Sequence, residues 1–258
     1  MCTTLCGSID PVVYFQTRKL VTWDQAKFKK TGQGTDYVQC GVILSPAREA
    51  LPPGSKARLK SLCSHYSRGC EAVCLKTSGQ LVFGTAKRAR VLRSMLYLHH
   101  PATYLEYVER DLLKLQRKAT KAGKILVVRF DTLSDTNPDF YRPLMDKLGL
   151  CGFVDYTKDP RKYQRYLDGA LHSHHHLTFS RSETNASQAR WFVANGGTAT
   201  VVVRNQEALD RYLTAGFEGF PTVDGTLSDR RWEDPKGHWV LLLALGKAKK
   251  DQSGFVVD

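Results

Sequence analysis

The chain has 258 residues, 42% apolar and 24% charged, which suits a globular protein with a well-filled core. No apolar run approaches the ~20 residues that cross a bilayer, and the longest, WVLLLAL at 239–245, is strand-sized. The opening MCTTLCGSIDPVVYF lacks a basic stretch leading into an apolar one, so a cytoplasmic protein with no membrane partner is expected.

Residues 1–84 are rich in Gly, Pro and Lys and weakly periodic, which predicts an irregular N-terminal region of short strands and loops. Within it, CSHYSRGCEAVC places Cys63, Cys70 and Cys74 in one short segment. In a reducing compartment, clustered cysteines point to metal or redox chemistry more than to disulfides, and the total of seven is odd. One tight loop, with Gly69 free to take an unusual dihedral, would gather the three thiolates around zinc or an iron-sulfur cluster. Three thiolates leave one position open. Cys2, Cys6, Cys40 or His65 could complete the set.

From residue 85 onward helix and strand signals alternate. TAKRARVLRSMLYLHH reads as a helix capped by Thr85. The next helix opens at Pro101, carries Leu105, Val108, Leu112, Leu115 and Ala119 on one stripe, and stops at Gly123. KILVVRFDTLSD is an apolar run of the kind found in strands buried on both faces. Asn137-Pro138 opens a short helix, CGFVDYTK is a strand, and Asp159-Pro160 starts the next helix. HHHLTFSRSETN, ASQARWFVANGG, TATVVVR and NQEALDRYLTAG continue the alternation, and strands near 220–224 and 239–245 finish it. Repeated strand-helix units imply parallel pairing with right-handed crossovers. The expected class is α/β: a parallel, barrel-like sheet, complete or partial, over residues 85–258, with no glycine-rich dinucleotide fingerprint.

In such a sheet chemistry gathers at the C-terminal ends of strands. There the chain offers Asp131, Asp135, Asp155, Lys158, Ser180, Glu183 and Asp224 as candidate catalytic residues. Helix capping explains some neighbouring polar residues, but a charge such as Asp155 inside an apolar strand is costly to bury for structure alone. The carboxylates would act as general bases or cofactor ligands, and Lys158 as an acid or anion holder.

A net charge of +13 favours a polyanionic partner, nucleic acid above all. Lys87, Arg88, Arg90 and Arg93 lie on one predicted helix, and Arg110, Lys114, Arg117, Lys118 and Lys121 on the next. The run HSHHH (172–176) suggests a rival, the His-hydrophobe-His strand of metal-dependent replication endonucleases. Its middle position is His175, and no Tyr-x-x-x-Lys follows.

Several blocks in order, LKTSG, VRFDTLSD, FVDYTK, LTFSRSETN and VDGTLSDRRWEDPKGHWVLLLALGKAKKDQSGFVV, resemble a family of uncharacterised bacteriophage proteins, the gene-product-88-like group. The resemblance spans roughly residues 50 to 258 and implies a phage origin. A three-cysteine loop ahead of a βα barrel is also similar in layout to radical S-adenosylmethionine enzymes, which implies S-adenosylmethionine as a further cofactor. The cysteine spacing here is wider than theirs, and no Gly-Gly-Glu-like segment follows the first helix. The expected function is a metal- or iron-sulfur-binding enzyme acting on nucleic acid or a nucleotide. The alternatives are a non-catalytic nucleic-acid-binding protein with a structural Cys-metal clasp, and the replication endonuclease.

Overall fold

The computed structural model describes residues 9–23, 28–29, 32–46, 49, 61–149 and 151–258. In chain order the elements are α1 (Pro11–Gln16), β1 (Tyr37–Gly41), α2 (Arg68–Ala72), α3 (Gly84–His99), α4 (Pro101–Lys121), β2 (Ile125–Arg129), α5 (Arg142–Lys147) and β3 (Gly152–Thr157). They continue with α6 (Pro160–Leu167), β4 (His175–Ser180), α7 (Ala186–Ala194), β5 (Ala199–Val203), α8 (Gln206–Ala215), β6 (Thr222–Asp224), β7 (Trp239–Leu243) and β8 (Val256–Val257).

The eight strands form one parallel sheet in the order β1-β2-β3-β4-β5-β7-β6, with β8 on β5. The fold is therefore α/β with parallel strands, as the alternation predicts. Among the described residues the sheet does not close, so a complete barrel is not formed. Two strands had no clear sequence signal. β1 arises from the irregular N-terminal region and pairs along its whole length with β2. β8 pairs with β5 at Val202 and Val203, just beyond the Phe179–Ala199 and Ser180–Thr200 pairs of β4. Since β7 holds the other edge of β5 throughout, β8 takes the edge that β4 has left.

The chain divides into two units, one of residues to Ser64 with Gln80–Phe153, the other of His65–Gly79 with Val154–Asp258. In the first, the α4 stripe behaves as its spacing requires: Val108, Leu112, Leu115 and Ala119 are buried, and Leu105 packs at the margin. Phe130 stacks on Tyr141 at 4.0 Å, and the Tyr104 and Tyr141 hydroxyls meet at 2.9 Å. α3 begins at Gly84 behind Phe83, so Thr85 sits inside the first turn rather than capping it. The segment after Asn137 is a short 3-10 turn (Pro138–Phe140) before α5.

In the second unit side chains cap two helices. Asp159 accepts from Arg161 N and Lys162 N, and Asn205 accepts from Ala208 N. Gly216, at φ 78°, closes α8 in a conformation few side chains tolerate. Leu177 and Phe179 of β4, Val201 and Val203 of β5, and Leu241 of β7 share a core with Tyr163, Phe192 and Leu209 of the helices. By the two-residue period of a strand, His176, Thr178, Ser180, Val202, Val240 and Leu242 face the other way. Among the described residues no helix is long and apolar enough to cross a membrane.

One buried carboxylate organises the N-terminal segment of the first unit. Asp111 accepts from the backbone N–H of Leu20 at 2.6 Å and of Val21 at 3.3 Å. The Asp111→Ala variant strands both donors, and a loss of about 2–4 kcal/mol is expected in urea unfolding.

Candidate functional site at the strand ends of the second unit

At the C-terminal ends of β3 and β4, Lys158 Nζ donates to Ser180 Oγ at 2.5 Å. Parallel pairing places these two ends side by side, and each residue directly follows or closes its strand. Lys158 also lies 5.4 Å above the Phe255 ring. The turn after β4 is fixed by Asn185, whose side chain donates to Ser180 O at 3.1 Å and accepts from Ser182 N at 2.6 Å.

Glu183 in that turn accepts from Ser67 Oγ and from Gly69 N, both at 2.7 Å, and Ser67 in turn accepts from Cys70 N. The cysteine-bearing helix α2 is thereby fastened to the β4–α7 turn. Gly69 allows this close approach, since a Cβ there would come within 2.2 Å of Ser253 Oγ and 2.8 Å of Glu183 Oε2. His65 Nδ1 stands 3.6 Å from Asp159 Oδ2.

Deeper in the strands, Asp155 and His175 form a buried pair, Nε2 to Oδ2 at 3.1 Å. Asp155 is thus a partnered buried charge, which accounts for its place in an apolar strand. Asp224 accepts from Thr226 N and shapes the turn after β6. Two other candidates belong to the first unit. Asp131 accepts from Ser134 Oγ, Thr136 N and Thr136 Oγ1, and Asp135 joins the Cys63 segment through its N–H to Leu62 O.

Cys63 lies in the first unit, where its thiol donates to Leu133 O at 3.2 Å; Cys70 and Cys74 lie in the second. Among the described residues no group of three or more His, Cys, Asp or Glu side chains is arranged to hold a metal. Cys40 is a core residue of the first unit, its thiol pKa pushed far up by burial and then by Cys151. Cys2 and Cys6 lie outside the described residues. The histidine run also divides. His172 Nδ1 accepts from His174 N in a turn, His175 turns to Asp155, and His176 Nδ1 meets Tyr166 Oη at 2.9 Å.

The basic residues separate into two groups. Arg90 is buried and grips Glu49 through Nε and Nη2 at 2.7 and 2.8 Å. Arg93 lies over Phe15 and is pushed down to about 10 by burial. Arg110 donates to Phe15 O, Gln16 O and Arg18 O, closing the end of α1. Lys114, Arg117, Lys118 and Lys121 are exposed on the second half of α4, and Arg88 is exposed on α3, with Lys87 half-buried.

Sequence reasoning missed a second polar group in this unit. The strap between β6 and β7 buries Arg231 and Asp229, and Tyr156 Oη donates to Asp229 Oδ1 at 2.6 Å. Arg231 Nη2 donates to Ser228 O, and Nη1 stands 3.3 Å from Asp234 Oδ2. Nothing in RRWED distinguishes the buried Arg231 from its surface neighbour Arg230; the partner Asp155–His175 could have been found from the lone aspartate in FVDYT.

These residues define an α/β protein with a polar site on the strand ends of a parallel sheet. The family model described as Gene product 88 matches residues 17–258, and the chain belongs to that family of bacteriophage proteins. No curated protein and no solved structure matches it.

Two titrating groups here oppose each other. Burial, then His175 and Arg231, lower His176 to about 4; burial raises Asp234 to about 6 despite Arg231. The unfolded His176 takes its proton below its ordinary 6.5 while the folded one does not, so its contribution is lost as pH falls from about 6.5 toward 4. The folded Asp234 takes its proton first, so its contribution grows as pH falls from about 6 toward 3.8. Across this window Asp234→Asn should lose more Tm on acidification than the parent, and His176→Gln less, as read by thermal unfolding at a series of pH values.

Proposed function

We propose that this phage protein is an enzyme acting on a phosphate-bearing substrate, nucleic acid or a nucleotide, in the host cytoplasm. The observation that supports it best is the Lys158–Ser180 contact at the ends of neighbouring parallel strands, the position where α/β sheets do chemistry. Lys158 offers a cationic donor able to hold a phosphoryl oxygen or protonate a leaving oxygen, and Ser180 is the hydroxyl aligned with it. Glu183 orders the turn that carries Ser180 and sets α2 against it. The exposed row Lys114, Arg117, Lys118 and Lys121 recurs at helical spacing on α4 and supplies sequence-independent attraction to a polyanion.

The test uses the full chain with single-stranded DNA, RNA and nucleoside triphosphates as probes. Lys158→Ala and Ser180→Ala should each lower turnover of the responsive probe by about 100-fold or more while leaving the fold intact. Replacing the four α4 cations with Gln should weaken nucleic-acid binding and flatten its salt dependence by about four counterions. Binding without turnover in the parent would favour the non-catalytic nucleic-acid-binding reading instead.

A second reading concerns the cysteines. Cys63, Cys70 and Cys74 occur between β1 and β2 in chain order, ahead of two long helices, the layout expected for an iron-sulfur or zinc site. On this reading the anaerobically purified protein carries iron and sulfide, or zinc, near one site per chain. Cys70→Ser and Cys74→Ser then each abolish the metal measured by elemental analysis. Metal-free parent protein rejects the reading, and S-adenosylmethionine use with it.

A further inference from the structure

The strap at residues 225–238 runs from the end of β6 to the start of β7 and places its 3-10 turn, Arg231–Glu233, on β4. Its first residue lies flat on the sheet: a Cβ at Gly225 would come within 2.5 Å of Val240 Cγ1 and 2.7 Å of Arg231 Nη1. Val240 and Leu242 alternate with the helix-facing Trp239 and Leu241, so the strap covers the face turned away from the helices.

Under this strap the hydrogen-bond accounting fails to close in one place. Arg231 is 1% exposed, yet its Nε and Nη1 have no hydrogen-bond partner. Thr178, fully buried on the face of β4 that the strap covers, has an unpartnered hydroxyl. Two residues earlier on that face, His176 Nε2 is buried and unpartnered as well. Tyr166 Oη can donate to His176 Nδ1, which leaves Nε2 carrying the proton and facing no acceptor. Asp234 Oδ2 forms an ion pair with Nη1 at 3.3 Å, out of line for a hydrogen bond and itself buried and unbonded, so it balances charge without satisfying the donors. Asp229, the other buried carboxylate, accepts from Tyr156. Unpaired buried donors cost about 1–3 kcal/mol each, more for a charged group, and four of them on one strand face and the strap above it call for an acceptor-rich partner.

We infer that the strap closes over an oxyanion site, with Arg231 Nε and Nη1, Thr178 Oγ1 and His176 Nε2 as donors to a carboxylate or phosphate group. A planar or tetrahedral oxyanion presents several acceptors to a guanidinium at once, which water cannot do with the same charge. The inference does not rest on the enzymatic reading, since none of these donors belongs to the Lys158–Ser180 pair.

The test follows the Arg231 Nε–H resonance of the nitrogen-labelled full chain at pH 7. Sodium phosphate and sodium acetate are titrated against sodium chloride at matched ionic strength. The expected result is a saturable shift with phosphate or acetate and none with chloride, and the oxyanion acting at lower concentration identifies the class. Thr178→Val removes one donor and keeps the shape, and should weaken the response by about tenfold. Lys158→Ala should leave it unchanged even where it ends turnover. Arg231→Lys identifies the resonance; should that variant fail to fold, the Thr178→Val comparison still decides. A flat titration with both oxyanions, or a Thr178→Val response equal to the parent's, overturns the proposal and leaves ordered water as the partner of these donors.

Discussion

Right-handed crossovers between parallel strands are the constraint from which the second unit follows. When successive strands are added on the same side, each right-handed crossover returns its helix to the same face of the sheet. The steps from β3 to β4 and from β4 to β5 obey this, and their helices share one core with Leu177, Phe179, Val201 and Val203. On the opposite face Val202 joins a small cluster with Val73, just after α2, and with Ala244, Ala248 and Val256. Thr178, Val240 and Leu242 need cover of their own on that face, because burying apolar surface is the main source of stability. The chain covers them with a connection. β6 is laid outside β7, and the long return between them crosses the sheet as a strap.

Beyond its one 3-10 turn and a few bonds to the sheet backbone, the strap is held by side chains. Arg231 supplies that anchor through Ser228 O, and Asp229 through Tyr156 Oη. The cost is a cluster of charges held away from solvent, with two of its members, His176 and Asp234, displaced in opposite directions by burial. Desolvation disfavours whichever form is charged, so the imidazole stays neutral to lower pH and the carboxyl holds its proton to higher pH.

Much of the framework was legible in the sequence because the signals were local. Asp159 before Pro160, Asn205 before an amphipathic run and Gly216 after it each act within a few residues. The stripe on α4 is likewise set by spacing alone. What was not legible depended on distant partners. Two-residue β8 has no periodicity to detect, and it exists because β4 ends early along β5. The open sheet also escapes local reading: equal strand-helix units fit a closed barrel as well as an open sheet, and the difference is whether the end strands β1 and β6 pair, a long-range property. Lys158 and Ser180 were each visible as strand-end residues, but their contact is a property of neighbouring strands 22 positions apart.

The charge excess shows the same division. A basic residue on a helix reads alike whether it faces solvent or a carbonyl. Arg110 sits four positions before Lys114, yet it closes α1 through three carbonyls, while Lys114 is exposed. Arg90 and Arg93, three residues apart, are both drawn inward, one by a carboxylate and one by an aromatic ring. A guanidinium does this readily because its planar fork satisfies several acceptors at once and its faces stack on rings. Within the two predicted basic helices Arg90, Arg93 and Arg110 are recruited into the fold, while Arg88, Arg117, Lys114, Lys118 and Lys121 stay exposed. Whether an internal acceptor or ring lies within reach, and not only the total charge, therefore decides how much of a basic face stays available to a polyanion.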